Sequence, residues 1–325
     1  MKIQLVTPAK KNSRNGNRAS ALRWAKLLRQ QGHQVTVATD YKAQSTDLLI
    51  ALHAWRSASA INQYRQRYPQ GPLIVALGGT DVNSYLKTDA QTTLRSMHAA
   101  DALVGLHDLI ANALPGDLIA KLHIIRQSAQ PLAQPRKPRS RYFGICVVGH
   151  LRDEKDPLRA ALAARLLPDV SKIRVAHFGA AHTAEWRQAA ERENAENRRY
   201  SWKGEVANAR IRQEFARTQL MVISSTQEGG ANVVSEALSA GVPIIASAID
   251  GNIGLLGADY PGYYPVGDEK ALADLLLRAE TEPGFLAGLE KHCLRLAPGC
   301  YPETESAAWR KVIEDITSPA STASQ

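Results

Sequence analysis

The sequence predicts an α/β protein of two tandem units, each an open parallel sheet covered by helices. Three observations lead there. Short apolar runs alternate with helical periodicity through the first 130 residues, a proline-rich stretch interrupts the pattern, and the alternation restarts after residue 141. Strands buried on both faces of a parallel sheet show as near-continuous apolar runs, as these do.

In the first half, the predicted strands are Ile3–Thr7, Val35–Thr39, Leu48–Leu52, Leu73–Leu77, Ala102–Gly105 and His123–Arg126. Between the first two, Leu22, Ala25, Leu27 and Leu28 recur at helical spacing over Ala19–Gln31, with Gly32 as the C-terminal stop. Pro131, Pro135 and Pro138 then stand among Arg136, Lys137, Arg139 and Arg141. This segment is expected to be a linker, because proline donates nothing to a ladder and biases the preceding residue away from helix.

Beyond it, strands are predicted at Tyr142–Gly149, Ile173–Phe178, Leu220–Ser224, Val242–Ala246 and Tyr263–Val266. Helices are predicted at Arg159–Leu167, Glu185–Asn197, Ile211–Ala216, Val233–Ala240 and Ala271–Ala279, and a last one follows Pro302 over Glu303–Ile316. The expected division is a first domain over residues 1–138, a second over 139–300, a C-terminal helix over 301–316 returning to the first, and a disordered Ser/Thr/Ala tail over 317–325.

Composition narrows the class. A chain of 325 residues, 44% hydrophobic and 22% charged, is neither disordered nor fibrous, and its length suits about two domains. Its longest apolar stretches, such as Val242–Ala248, are far short of the roughly 18 residues of a membrane span, and no signal-peptide h-region opens the chain. A cytoplasmic protein without membrane contact is expected. Cys146, Cys293 and Cys300 match neither a disulfide framework nor a zinc spacing, so buried structural thiols are expected.

The formal charge of +9 is unevenly spread. Residues 1–140 hold 19 Lys or Arg against 7 Asp and no Glu, a balance of +12, whereas residues 141–325 hold 21 against 24, a balance of −3. Such asymmetry points either to an anionic partner of the first half or to a solvated basic surface.

Open parallel sheets bind ligands beyond the carboxyl ends of their strands, and two such sheets facing each other would line a cleft with those ends. No G-x-G-x-x-G follows the first strand of either half and no G-x-x-x-x-G-K-[ST] occurs, which argues against dinucleotide dehydrogenases and P-loop kinases. The strongest motif runs from Ser224 to Pro243, where a strand leads through Glu228, Gly229 and Gly230 into a helix starting near Asn232, with Glu236 one turn in. Glycines ahead of a helix N-terminus let backbone amides approach a diphosphate, and carboxylates accept from sugar hydroxyls.

This segment resembles the donor site of family 4 retaining glycosyltransferases, enzymes of the GT-B fold with two Rossmann-like domains whose parallel sheets face across a cleft. The family's signature is two glutamates separated by seven residues and followed by a small-Gly-x-Pro strand entry, and Glu228, Glu236 and Ala240-Gly241-Val242-Pro243 supply it. The resemblance implies that Glu236 holds the ribose, that Glu228 touches the donor sugar, and that Gly229, Gly230 and Asn232 lie against the UDP-sugar. A second match, Val147 to Pro157, places Arg152 and Lys155 where the family clamps the donor diphosphate and stabilises the leaving group without a metal or other cofactor. Tyr200 to Val206 resembles the stretch beside the nucleobase, and Trp202 there stays open between core residue and stacking platform.

In the first half, the basic loop Lys10 to Arg18, Leu52-His53-Ala54-Trp55, Leu77-Gly78-Gly79-Thr80-Asp81 and Arg126-Gln127-Ser128 together resemble the selenosugar synthases of the selenoneine pathway, a likeness that runs through both halves of the chain. It implies a UDP-sugar, most readily UDP-N-acetylglucosamine, as donor and selenophosphate as acceptor, with a selenophosphate synthetase upstream and a selenosugar-using enzyme downstream. It also implies Gly16 at the UDP-sugar, and Asn17, Arg18, Gly79, Thr80 and Asp81 at the acceptor.

One departure from ordinary family 4 enzymes bears on the acceptor. Many carry a histidine after the fourth strand, and here that place is Gly78. An anionic selenium nucleophile needs little general-base help, in contrast to an alcohol. His53 at the end of the third strand stays open between a catalytic and a structural role, and Asp81 between substrate contact and helix cap. Arg18 opposes the dipole at its helix start, which suggests a bound anion. The rivals are a hydroxyl-acceptor glycosyltransferase and a non-catalytic nucleotide-sugar or nucleic-acid binder. The last is disfavoured because RNA-binding motifs are missing and basic-aromatic interleaving is weak.

Overall fold

The computed structural model describes residues 1–13 and 16–318, so Arg14 and Asn15 of the basic loop and the tail from residue 319 lie outside the described residues. The chain forms two compact units, Met1–Gln127 with Pro302–Gln325, and Ser128–Tyr301.

The first unit holds β1 (Lys2–Val6), β2 (Gln34–Ala38), β3 (Leu48–Leu52), β4 (Leu73–Ala76), β5 (Ala102–Gly105) and β6 (Leu122–Ile124), all parallel, in the order β2-β1-β3-β4-β5-β6. Every residue of β3 and β4 is buried, as expected of strands covered on both faces. Period-two alternation sends Leu48, Ile50 and Leu52 into one apolar layer, with the helices Gly16–Gln30 and Pro302–Thr317, and Leu49 and Ala51 into the other, with the helix Ala58–Arg67.

The helix Gly16–Gln30 begins three residues earlier than the apolar pattern suggested. Its buried stripe is Ala21, Trp24, Ala25, Leu27 and Leu28, which turns the expected core residue Leu22 outward to 46% exposure. The C-terminal helix belongs to this unit. Trp309 packs on Trp24 with ring centroids 4.9 Å apart, while buried Glu305 accepts from Trp24 Nε1 at 2.7 Å and Arg23 Nε at 2.9 Å.

The second unit holds β7 (Phe143–Val148), β8 (Ile173–Phe178), β9 (Tyr200–Trp202), β10 (Leu220–Ile223), β11 (Ile244–Ser247) and β12 (Tyr263–Tyr264), again all parallel, in the order β12-β11-β10-β7-β8-β9. Counted from β7, this is the 3-2-1-4-5-6 order of dinucleotide-binding sheets. β11 begins at Ile244, two residues later than expected, because Pro243 has no N–H to give a ladder. β9 and the helices Ala58–Arg67, Ala90–Ala99, Asp250–Leu256 and Pro283–Leu296 were not among the predicted elements.

The proline-rich segment is fastened to the second unit and is not a loose linker. Arg136 donates to the carbonyls of Gly241 and Thr218 and to Glu290, and Arg139 makes a bidentate pair with Glu214 at 2.7 Å on both arms. The contacts therefore divide the chain after Gln127, ahead of the expected residue 138. All three cysteines are free and buried, and burial pushes the Cys293 thiol up to about 11. No described helix is long and apolar enough to cross a membrane.

Candidate active site

In the second unit, sheet order reverses between β7 and β10, and the two motifs singled out in the sequence leave those two strands. Backbone and hydroxyl contacts lace their loops together: Thr226 N donates to Glu154 O at 2.9 Å, Ser224 Oγ to Asp156 O at 2.8 Å, and Ser247 Oγ to Ser225 O at 2.6 Å. The hollow at these strand ends is lined by Gly149, His150, Lys155, Ser224 and Ser225, among others.

Lys155 and Glu228 form an ion pair here, and Ser225 Oγ donates to the same carboxylate oxygen at 2.6 Å. The carboxylate is 10% exposed and the ammonium 20%, so both charges are largely withdrawn from water. Gly251, at the start of the helix Asp250–Leu256, makes room for this loop, since a Cβ there would stand 2.7 Å from Glu228 Cβ. Arg152 is not drawn into the pair. Its side chain is 44% exposed and its Nε lies 3.7 Å from Glu154.

Gly229 is buried and Gly230 has φ 117° ahead of the helix Asn232–Ser239, whose N-cap, Ala231, supplies no side-chain cap. A helix N-terminus entered through such a loop suits an anion. Glu236 is half-buried one turn in.

Behind the β7 loop, fully buried His177 donates from Nε2 to Gly149 O at 3.0 Å and accepts the Tyr200 hydroxyl on Nδ1 at 2.9 Å. Burial pushes its pKa down to about 4, so the ring is neutral and holds the loop by hydrogen bonds alone. Trp202 is half-buried against the core, donating to Gly179 O at 2.8 Å, with Arg187 5.8 Å over its ring.

In the first unit, sheet order reverses between β1 and β3, and His53 follows β3 with the unusual φ of 81°. His53 Nδ1 lies 2.6 Å from Asp81 Oδ1 and Nε2 lies 2.6 Å from Thr80 Oγ1. Asp81, expected at the acceptor or as a helix cap, is fully buried. Besides His53, it accepts from the amides of Ala54, Trp55 and Gly78 at 2.8–2.9 Å, so it stands behind the ring and fixes it. With Nδ1 donating to Asp81, Nε2 accepts from the half-buried Thr80 hydroxyl.

Gly78 does not leave this region without an imidazole, as its place in the sequence suggested, because the His53 ring fills the space a Cβ at 78 would need, 2.7 Å from His53 Cδ2. Trp55 stacks on Tyr85 at 4.0 Å and 4°, and Tyr85 meets His53 edge-on at 5.8 Å. Gly79 is half-buried beside Thr80. Gly16, Asn17 and Arg18 open the first helix, with Gly16 exposed, Asn17 half-buried and Arg18 buried.

Sequence reasoning missed Ser225, Tyr85, Gly251 and His177. Ser225 and Gly251 sit at strand ends, where a search of all post-strand loops would find them. Tyr85 lies in the π-helical turn Asp81–Tyr85 and His177 inside β8, and neither carries a local signal.

A family model described as glycosyl transferases group 1 matches residues 132–295, half of the chain and nearly all of the second unit. The chain belongs to this family. It is therefore a glycosyltransferase. No curated protein matches the sequence. Among solved structures, the chain is similar to the sucrose-phosphate synthase (tll1590) of Thermosynechococcus elongatus, at 16% identity over 97% of this chain and 98% of that one, TM-score 0.76. It is likewise similar to Anabaena Alr3699/HepE solved in complex with UDP, at 15% identity over 97% and 100%, TM-score 0.77. A glycosyltransferase of Rickettsia africae matches at 13% identity over 98% and 99%, TM-score 0.75. At such identities the likeness shows the fold, that of the GT-B glycosyltransferases.

Proposed function

We propose that this glycosyltransferase takes a UDP-sugar as donor, with UDP-N-acetylglucosamine the first candidate, and selenophosphate as acceptor. The observation that carries the donor assignment is the Lys155–Glu228 pair at the β7/β10 switch point, ahead of the glycine-led helix that bears Glu236. On donor binding, the diphosphate replaces Glu228 as partner of Lys155, and Arg152 closes on it. Glu228 is then free to accept from a sugar hydroxyl while Glu236 accepts from the ribose. HepE, solved with UDP and with UDP and glucose, supports a nucleotide donor for a fold of this kind.

Selenophosphate is supported by the +12 balance of residues 1–140, by buried Arg18 at the start of the first helix and by the sequence resemblance. Selenium attacks C1 of the sugar as the C1–O bond to UDP breaks, and UDP leaves toward Arg152 and Lys155. Water then cleaves the P–Se bond, giving phosphate and the selenosugar. In this reading Gly16 lies at the UDP-sugar, while Asn17, Arg18, Gly79 and Thr80 receive the acceptor. His53, held by Asp81, moves a proton through Thr80.

The purified protein is incubated with UDP-sugar, selenide, ATP and a selenophosphate-generating enzyme, and products are read by mass spectrometry. The selenosugar is the expected product. A second reading, transfer to a hydroxyl acceptor, is favoured by the His53–Asp81 pair, which suits removal of an alcohol proton. Transfer to hydroxyl compounds with no selenosugar formed would establish it instead.

A further inference from the structure

The second unit contains a cavity that the Lys155 and Glu228 loops do not touch, although Tyr200, Ser201 and Lys203, from the stretch that resembles a nucleobase site, line part of it. Its volume is about 430 Å³, within the range of small-molecule sites. The floor is the face of β7, β8 and β9 on which register places Gly144 opposite Arg174 and Ala176 opposite Ser201. Gly144, Ala176 and Ser201 are small, which leaves the sheet uncovered, and Tyr142 and the helix Asn208–Phe215 supply walls.

Five cations line it: Arg141, Arg174, Arg198, Arg199 and Lys203. None of the five has a carboxylate partner among the described residues. The one acid at the cavity, Glu214, is already neutralised by its bidentate pair with Arg139. Arg199 Nε is buried without a hydrogen-bond partner, and Nη2 of the same residue goes to a carbonyl, that of Pro168. This concentration occurs in the half of the chain whose overall balance is −3, so it is a local feature and not a sample of a basic surface.

Arg141 and Arg198 precede β7 and β9 and Arg174 is the second residue of β8, so these three cluster at the amino ends of parallel strands. Lys155 and Glu228 follow the carboxyl ends, roughly 20 Å away for a six-residue strand.

We infer that this cavity is a second anion site, which binds a small phosphorylated molecule independently of the donor site. Guanidinium groups on separate strands suit the several oxygens of a phosphate group, and Tyr142 offers an aromatic wall to an organic substituent.

The full chain is titrated at physiological ionic strength with inorganic pyrophosphate and, separately, with adenosine monophosphate, by calorimetry. Saturable binding is expected for at least one, and the tighter of the two tells a bare phosphate site from a nucleotide site. Arg174→Glu combined with Arg199→Glu should weaken that binding at least about tenfold, whereas Lys155→Met should leave it unchanged. Ala176→Trp, which fills the floor without altering charge, should weaken it to a similar degree, and thermal melting confirms that each variant is folded. The inference is overturned if neither probe binds, if Lys155→Met removes the binding, or if Ala176→Trp leaves it intact, since the last result means diffuse attraction and no cavity.

Discussion

The His53 ring occupies the space that any side chain at position 78 would enter: a Cβ on Gly78 would stand 2.7 Å from His53 Cδ2 and 3.3 Å from Cγ. β3 and β4 are neighbours, so an imidazole delivered from the end of one and a residue at the end of the other compete for one volume. This chain has the imidazole on β3 and a glycine after β4, with Asp81 fixing the ring from behind.

Gly78→Ala should therefore push the ring off Thr80. An overpacked site of this kind costs about 1–3 kcal/mol of stability, and the loss of turnover should exceed what that destabilisation explains. Melting temperature and kcat/KM measured on the same preparation test it. An alanine variant with wild-type values of both would show that the contact is idle.

The Lys155–Glu228 pair predicts opposite effects from its two halves. Lys155→Met removes a charge-assisted contact and should weaken UDP binding roughly 10- to 100-fold. Glu228→Gln releases Lys155 from its competitor, so UDP should bind as well or better while transfer to the acceptor falls. Equal weakening of UDP by both substitutions would contradict the exchange of partners.

In the proposed reading, Glu236 serves the donor and Arg18 the acceptor. Glu236→Ala should abolish UDP binding, and Arg18→Ala should spare it while raising the KM for the acceptor. Calorimetry with UDP that shows the same loss in both variants would refute that division.

His177 gives a stability prediction with a defined pH window. Its folded pKa is pushed down to about 4 by burial, below the ordinary 6.5 of an unfolded histidine, so between these values the unfolded chain holds a proton that the folded one does not. The stability from keeping the ring neutral is complete above pH 6.5 and is lost as pH falls toward 4, on the order of 3 kcal/mol in total. His177→Gln, which does not titrate, should flatten the acid limb of a denaturation series between pH 6.5 and 4. An unchanged limb would mean that other groups dominate it.

The sequence by itself determined the α/β class, the two units and the two motif-bearing loops after β7 and β10, because each is written in local order. Apolar runs of strand length, helical spacing and a glutamate-glycine turn before a helix all fit within about 20 consecutive residues. Elements with weak local signal were missed for the same reason. β9 is three residues long, and the helix Ala58–Arg67 buries only Ala60, Ile61 and Tyr64.

Only the tertiary structure decided what the strand ends bring together. Lys155 meets Glu228 across 73 positions, His53 meets Asp81 and Gly78 across neighbouring strands, and the five cations of the second cavity come from β8 and from the segments flanking β7 and β9. Strand order and register set these meetings, and they are fixed by which buried faces pack best over the whole sheet, information that no local window of the chain contains.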